Sequence, residues 1–235
     1  MNNHNFKETI VLKLGGSLIV PNGGLNTSYI TKFYHFIKKQ VKEKGRRFII
    51  LIGGGKLSRH YIEAGSKITG NELKGEDLDW LAIHVTRLNA HLFRTIFRDI
   101  AHPRIISDYD IIEKTQCPII IAAGWKPGWS TDYDAVVLAN DYNIKKIIKM
   151  CNIDYIYEKD PIKFPNAKRI EKMSWDRLQK LVGTQWTPGK SMPFDPIATK
   201  LASESNLTVY FLHGMDLENV NRAISGKSFK GTIIQ

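Results

Sequence analysis

Val11-Leu12-Lys13-Leu14 leads straight into Gly15-Gly16-Ser17, and Ile49-Ile50-Leu51-Ile52 leads into Gly53-Gly54-Gly55-Lys56. A short apolar run ended by glycines reads as a buried strand that stops at a sharp turn, which confines the chain to folds whose strands are covered on both faces. Glycine accepts positive φ and allows another backbone or a ligand to come close. Where a helix begins just beyond such a turn, successive N–H groups form an anion cradle. One cradle is either an ordinary βα turn or a site for any phosphate. Two suggest that two phosphate-bearing ligands meet, as phosphoryl transfer requires.

Neither cluster is one of the commonest phosphate motifs. A P-loop would need glycine at Ile50 and a hydroxyl residue at Leu57. The dinucleotide fingerprint fails at Ser58, which stands where its third glycine should follow Gly53 and Gly55.

Apolar runs and amphipathic stretches alternate to the end of the chain, which predicts a single α/β domain over 1–235, with a mostly parallel sheet between helical layers. The patterns place strands near 9–14, 48–52, 104–107, 118–122, 144–150 and 207–212. Helices are predicted near 27–44, 57–65, 77–98, 131–142, 174–182, 195–206 and 217–225. Asn26 and Gly45 suit the two ends of the first helix. Charges and two prolines between Glu158 and Pro165 suit a structured loop with a short hairpin. In open α/β sheets ligands bind beyond the carboxyl ends of strands. The glycine clusters, the Gly124-Trp125-Lys126-Pro127-Gly128 loop and the Asn152-Ile153-Asp154 segment all follow predicted strands. They therefore collect along one sheet edge.

Phosphoryl transfer asks the protein mainly for placement and positive charge. Lys13, on a strand beside the first cradle, can bridge two phosphates; the alternative is a lysine snorkelling at a strand end. Arg59, one helical turn beyond the second cradle, can grip a phosphate bidentately, or can be an ordinary surface arginine. Ser130-Thr131-Asp132 and Asp195 open helices and can be caps, phosphate contacts, or both. No metal-ligand cluster stands out, and His84 and His91 suit packing or solvent better than a metal. Two cysteines, Cys117 and Cys151, without metal-type spacing argue against a disulfide scaffold and for a reducing cytoplasm. The N-terminal residues lack a signal-peptide pattern and no apolar run suits a membrane span. The net charge of +11 favours anionic ligands, but its densest run lies at a helix end, where it complements the dipole. No nucleic-acid motif accompanies it.

Six segments then occur in order: V-L-K-L-G-G-S at 11–17, I-G-G-G-K-L-S-R at 52–59, T-R-L-N-A at 86–90, P-G-W-S-T-D at 127–132, N-I-D-Y-I-Y-E-K-D-P at 152–161 and P-F-D-P-I-A-T-K at 193–200. Together, over about residues 9 to 234, they resemble the amino-acid kinase superfamily, and within it the uridylate kinases of the archaeal type. The resemblance implies an αβα sandwich and ATP-dependent conversion of UMP to UDP, with Mg²⁺ carried by ATP. It places the acceptor part at about 1–143 and the ATP part at about 144–235. It also implies a homo-oligomer, usually a hexamer.

Residue by residue, the resemblance makes Lys13, Asp132 and Asp195 catalytic. It assigns Gly15, Gly16, Ser17, Lys149, Asn152, Asp154, Tyr157 and Asp160 to ATP, and Gly54, Gly55, Arg59, Asp79, Trp125, Lys126 and Thr131 to UMP. Three departures stand out. Lys126 replaces a bacterial asparagine or archaeal histidine, Tyr155 replaces a glycine, and Tyr133-Asp134 after S-T-D adds a carboxylate. The rival readings are a kinase of another small phosphate acceptor, for which His60 would be the phosphate contact, a non-catalytic nucleotide-storage oligomer, and an RNA-binding regulator.

Overall fold

Each strand side chain alternates between the two faces of a sheet, so a strand that is apolar at every position must be covered on both. A computed structural model of the chain, which describes residues 6–185 and 192–235, bears this out. The N-terminal run read for a leader falls outside these residues. The first half comprises β1 (Glu8–Leu14), α1 (Gly16–Ile19), α2 (Thr27–Lys44), β2 (Arg46–Ile52), α3 (Gly55–Ile68), α4 (Gly75–Ile96), β3 (Ile119–Ala122) and α5 (Thr131–Asp141). The second comprises β4 (Lys146–Cys151), β5 (Ile156–Tyr157), β6 (Arg169–Ile170), β7 (Lys172–Met173), α6 (Trp175–Val182), α7 (Pro196–Glu204), β8 (Thr208–His213), α8 (Leu217–Ile224) and β9 (Thr232–Ile234).

Seven strands form one sheet in the order β3-β2-β1-β4-β8-β9-β7. All neighbours run parallel except β8 and β9. Ile10, Leu12 and Leu14 of β1 face the core under α2, α4 and α8, whereas Val11 faces the core under α5, α6 and α7. The chain is therefore a three-layer αβα sandwich. Helix α2 begins where Asn26 accepts the Tyr29 N–H at 3.1 Å and ends at Gly45 with φ 62°.

Three features differ from the sequence expectation. The strand expected at 104–107 is an irregular edge: Ile106 donates its N–H to Ile121 and bridges Ala122, and Pro103 keeps the segment from running on as a ladder. The short elements β5, β6, β7 and β9 carry too few residues for a periodicity to register. The hairpin suspected near 158–165 has its paired residues outside that stretch, with Ile156 opposite Ile170. Among the described residues no helix is long and apolar enough to cross a membrane.

Candidate active site

The order of strands reverses at β1, since β2 and β3 lie on one side of it and β4 and β8 on the other. Ligands in open α/β sheets bind beyond the strand ends at such a switch point. Lys13 of β1 and Lys149 of β4 stand in register across it, on the face covered by α5 and α7. Side by side, the two ammonium groups would repel. Asp132, near the start of α5, holds both: its Oδ1 lies 3.4 Å from Lys13 Nζ and its Oδ2 2.5 Å from Lys149 Nζ. Burial alone would raise the Asp132 carboxyl, but the charges of Lys13 and Lys149 outweigh it and hold the group below the usual carboxylate value. Two cations and one anion leave an excess positive charge where a moving phosphoryl group needs it.

The two glycine cradles lean on each other. A Cβ on Gly16 would lie 1.9 Å from the Gly55 nitrogen, and one on Gly53 would lie 2.6 Å from the Gly16 nitrogen. Gly55 also has φ 72°, in the left-handed region. Only glycine permits this backbone-to-backbone contact. Helices α1 and α3 start there without a side-chain cap; in their first turns the Leu18 N–H goes to the Gly15 carbonyl at 3.0 Å and the Lys56 N–H to the Val20 carbonyl at 2.9 Å.

The Thr-Arg-Leu-Asn block of α4 has a structural role that its sequence did not disclose. Asn89 Nδ2 donates to the carbonyls of Gly53 and Gly54 at 3.0 and 3.3 Å. Thr86 Oγ1 accepts the Gly124 N–H at 2.9 Å, and Arg87 donates to the carbonyls of Gly124, Ser107 and Trp125. One helix face thus ties the second cradle to the 124–129 loop. Asp79, two turns nearer the start of α4, accepts the Gly128 N–H at 2.9 Å. Burial raises its carboxyl, against the Gly128 hydrogen bond.

A cavity of about 310 Å³ opens between these elements. Lys13, Gly15, Gly16, Ser17, Gly54, Gly55, Arg59, Asp79, Thr131, Asp132, Lys149, Asn152 and Asp195 all line it. Asp195 is the α7 cap, its Oδ1 accepting the N–H groups of Ile197 and Ala198 at 2.6 and 3.0 Å, so the cap reading holds for a residue that also lines the cavity. Its Oδ2 is buried without a hydrogen bond of good geometry, and burial raises the carboxyl against the Ser130 hydroxyl and the capped N–H groups. Ser130 caps α5 by accepting the Tyr133 N–H at 3.1 Å. Asp154, Tyr157 and Asp160 do not line the cavity; Asp154 and Asp160 are exposed, and Asp160 accepts the Ile162 N–H. Trp125 packs beside Tyr109, and Lys126 faces an adjoining depression. Sequence reasoning passed over Ser58, Thr86 and Trp129, which line the cavity. Ser58 Oγ is buried with no partner, a signal visible only in three dimensions.

Asp134 is an outlier among the carboxylates. It is fully buried, and neither oxygen makes a hydrogen bond of good geometry. Burial pushes its carboxyl well up; the charges of Asp132 and Asp195 add to this, against the Trp125 N–H and Arg87. The folded state therefore holds a proton that the unfolded state has released, from about pH 4 upward to the raised value. Stability falls as pH rises through that window. Asp134→Asn is expected to raise the Tm at pH 8 by roughly 2–6 °C and at pH 4 by much less. Equal gains at both pH values in thermal melts would mean that no such proton is held.

The sequence matches the family model described as the Amino acid kinase family over residues 8–213. It is 31% identical to a uridylate kinase of Pyrococcus abyssi, over 96% of this chain and 99% of that one. It is 32% identical to a uridylate kinase of Methanocaldococcus jannaschii, with the same coverage. The solved structure of a uridylate kinase from Archaeoglobus fulgidus superposes with a TM-score of 0.80 at 27% identity, covering 96% of this chain and 99% of its own. The paired lysines at the switch point, the interlocked glycine cradles and these full-length similarities agree, and the chain belongs to the amino acid kinase family, on its uridylate kinase branch.

Proposed function

We propose that this chain transfers the γ-phosphoryl group of MgATP to UMP, giving UDP and ADP. The observation that carries this reading is the in-register pair Lys13 and Lys149, held by one aspartate between two glycine cradles. An oxygen of the acceptor phosphate forms the new bond to the γ-phosphorus while the bond to the β,γ-bridging oxygen breaks and ADP departs. The attacking oxygen is already anionic, so no general base is needed. Lys13 and Lys149 neutralise charge on the moving group, Asp132 keeps both ammonium groups in place, and Arg59, which has no ion-pair partner among the described residues, takes the acceptor phosphate.

A divalent metal on the triphosphate supplies further charge neutralisation when bound. The donor set suits a metal brought by the nucleotide. Among the described residues no cluster of three His, Cys, Asp or Glu forms a cage, and of the carboxylates lining the cavity Asp195 has an Oδ2 that neither a hydrogen bond of good geometry nor a lysine engages. The same reading assigns about 1–143 to the acceptor and about 144–235 to ATP. It includes a homo-oligomer, a hexamer by resemblance; the exposed apolar side chains Tyr61 and Ile68 on α3 and Leu88 on α4 support such contacts. His60, the contact expected for another phosphate acceptor, is exposed and stands against the Gly23 turn outside the cavity.

ADP release with MgATP and UMP, CMP, dTMP, AMP or isopentenyl phosphate is the deciding measurement. The expected result is turnover selective for UMP, falling roughly 10²–10³-fold in kcat for Lys13→Met. Absence of turnover with every nucleotide would overturn the proposal.

A further inference from the structure

Basic residues that lie scattered along the sequence meet at the β8-β9-β7 end of the sheet. Tyr210 of β8 stands opposite Ile233 of β9, which in turn stands opposite Lys172 of β7. Helix α8 packs against β4 and β8, and beyond it this row stays open: Tyr210 and Ile233 are half-buried and Lys172 is exposed. The turn Gly226-Lys227-Ser228-Phe229-Lys230-Gly231 borders the row. Buried Asn219 fixes that turn, its Nδ2 donating to the Lys230 carbonyl and its Oδ1 accepting the Lys230 N–H, both at 2.8 Å. Arg222 Nε donates to the Ser228 carbonyl at 2.7 Å. A Cβ on Gly231 would lie 2.4 Å from the Phe211 carbonyl oxygen, so the end of the turn lies close on the sheet. Phe229 packs inward on Tyr210, ring centroids 4.9 Å apart, and Lys227 and Lys230 are left exposed.

These elements border a depression of about 850 Å³ that shares no lining residue with the active-site cavity. Arg169, Lys172, Arg222, Lys227 and Lys230 bring five positive charges to it from β6, β7, α8 and the turn. Tyr155 adds an aromatic face, with the Arg169 guanidinium 5.0 Å from its ring centroid. Of the three carboxylates on the rim, Glu171 pairs with Arg169 at 2.9 Å and Asp216 caps α8 by accepting the Asn219 N–H at 3.0 Å. Glu218 alone is left. Among the described residues the ammonium groups of Lys172, Lys227 and Lys230 have neither an ion pair nor a hydrogen bond. Cations gathered without partners attract an anion with several charges. We propose that this depression binds a single-stranded nucleic acid, the lysines and Arg222 taking successive phosphates while Tyr155 and Arg169 offer a face to one base. A positive groove beside an aromatic face suits a single strand, whose bases are free to stack on protein; a duplex keeps its bases stacked on each other. The chain's net charge of +11 draws such a polyanion in, and the excess positive charge keeps a second copy of this face away. The proposal does not depend on the kinase reading.

The test is fluorescence anisotropy of a labelled single-stranded RNA of mixed sequence, about 12 nucleotides long, with and without excess UMP and MgADP. Binding is expected at low salt, undiminished by the two nucleotides. Its logarithm should fall against log salt with a slope of about −2 to −3, as three or four neutralised phosphates require. Lys227→Gln combined with Lys230→Gln should weaken binding roughly tenfold or more and flatten the slope by about 1. Both side chains are exposed and lie outside the active-site cavity, so Tm and ADP release should stay as in the parent. Tyr155→Ala should weaken binding about fivefold or more at an unchanged slope, and Tyr155→Phe should keep it. No binding at low salt, or the parent's affinity in the double lysine variant, would overturn the proposal. So would displacement by UMP and MgADP, which would put the RNA in the active site, or a duplex of equal length binding as tightly as the single strand. Since the readout is RNA binding, a protein that turns over no nucleotide would lose the kinase reading and leave this one standing.

Discussion

Gly16→Ala is expected to lower the Tm by roughly 6–12 °C or to yield insoluble protein. The added Cβ would lie 1.9 Å from the Gly55 nitrogen and 2.6 Å from the Gly55 Cα, so the obstacle is backbone on both sides. A flexible side chain could swing away, but this contact joins two strand ends that the sheet ladder holds in register, Leu14 opposite Ile52. Overpacking against atoms that cannot yield costs about 3 kcal/mol or more, which in a chain of this size corresponds to that shift in Tm. Gly75→Ala is the control, because a Cβ there meets nothing within 4 Å. Thermal melts of the two variants side by side decide it. A Gly16→Ala protein within 2 °C of its parent would mean that the cradles are not interlocked.

Asp132→Asn should remove both stability and turnover, for separable reasons. Lys149 is only 4% exposed, and its in-register neighbour is another lysine. Removing one partner of a buried ion pair costs about 3–5 kcal/mol, since the remaining charge is left uncompensated. The pH dependence carries the signature. Asp132 titrates below the ordinary carboxylate value, so its contribution is complete above about pH 4 and disappears as pH falls through the depressed folded value. The variant lacks this acid-sensitive contribution. In the variant Lys149 is the group that suffers: burial lowers its ammonium, and Asp132 no longer opposes this. The unfolded chain then binds more protons than the folded one below the ordinary lysine value, so the variant should gain stability on the alkaline side. Asp132→Asn combined with Lys149→Met should restore much of the Tm but not the kcat. Melts between pH 4 and 10, with ADP release on the same samples, separate the two effects. If the double variant is as unstable as the single one, the ion pair is not what stabilises the site.

Much of the site was legible before any coordinates. Residues such as Lys13, Arg59 and Asp195 stand next to strand ends or helix starts, and local pattern locates those well. The Asn26 cap and the Gly45 stop were legible for the same reason, because the groups they satisfy lie within one turn of them. Lys149 appeared only as one residue of the ATP stretch, and its place beside Lys13 depends on which strand neighbours β1. Asn89, Thr86 and Arg87 read as a sequence signature, yet their partners are carbonyls and N–H groups 20 to 38 residues away. Nothing local predicts such partners. Lys126 is a further case: the sequence shows Trp125 beside it and Trp129 three residues on, but only the folded loop puts its ammonium 3.8 Å from one ring and 4.7 Å from the other.

By itself the sequence determined a chain of strands ending in glycine cradles, an αβα arrangement to cover them, and cations near where phosphates would lie. Periodicity and glycine sterics act within a few residues, so they can be read along the chain. The tertiary structure alone decided that the two cradles touch backbone to backbone, that two lysines share one carboxylate at the switch point, and that Asp134 is buried without a hydrogen bond of good geometry. Each depends on strand order and on distances between segments far apart in sequence. Burial, dielectric and charge pairing, which set the chemistry of the site, exist only once those segments meet.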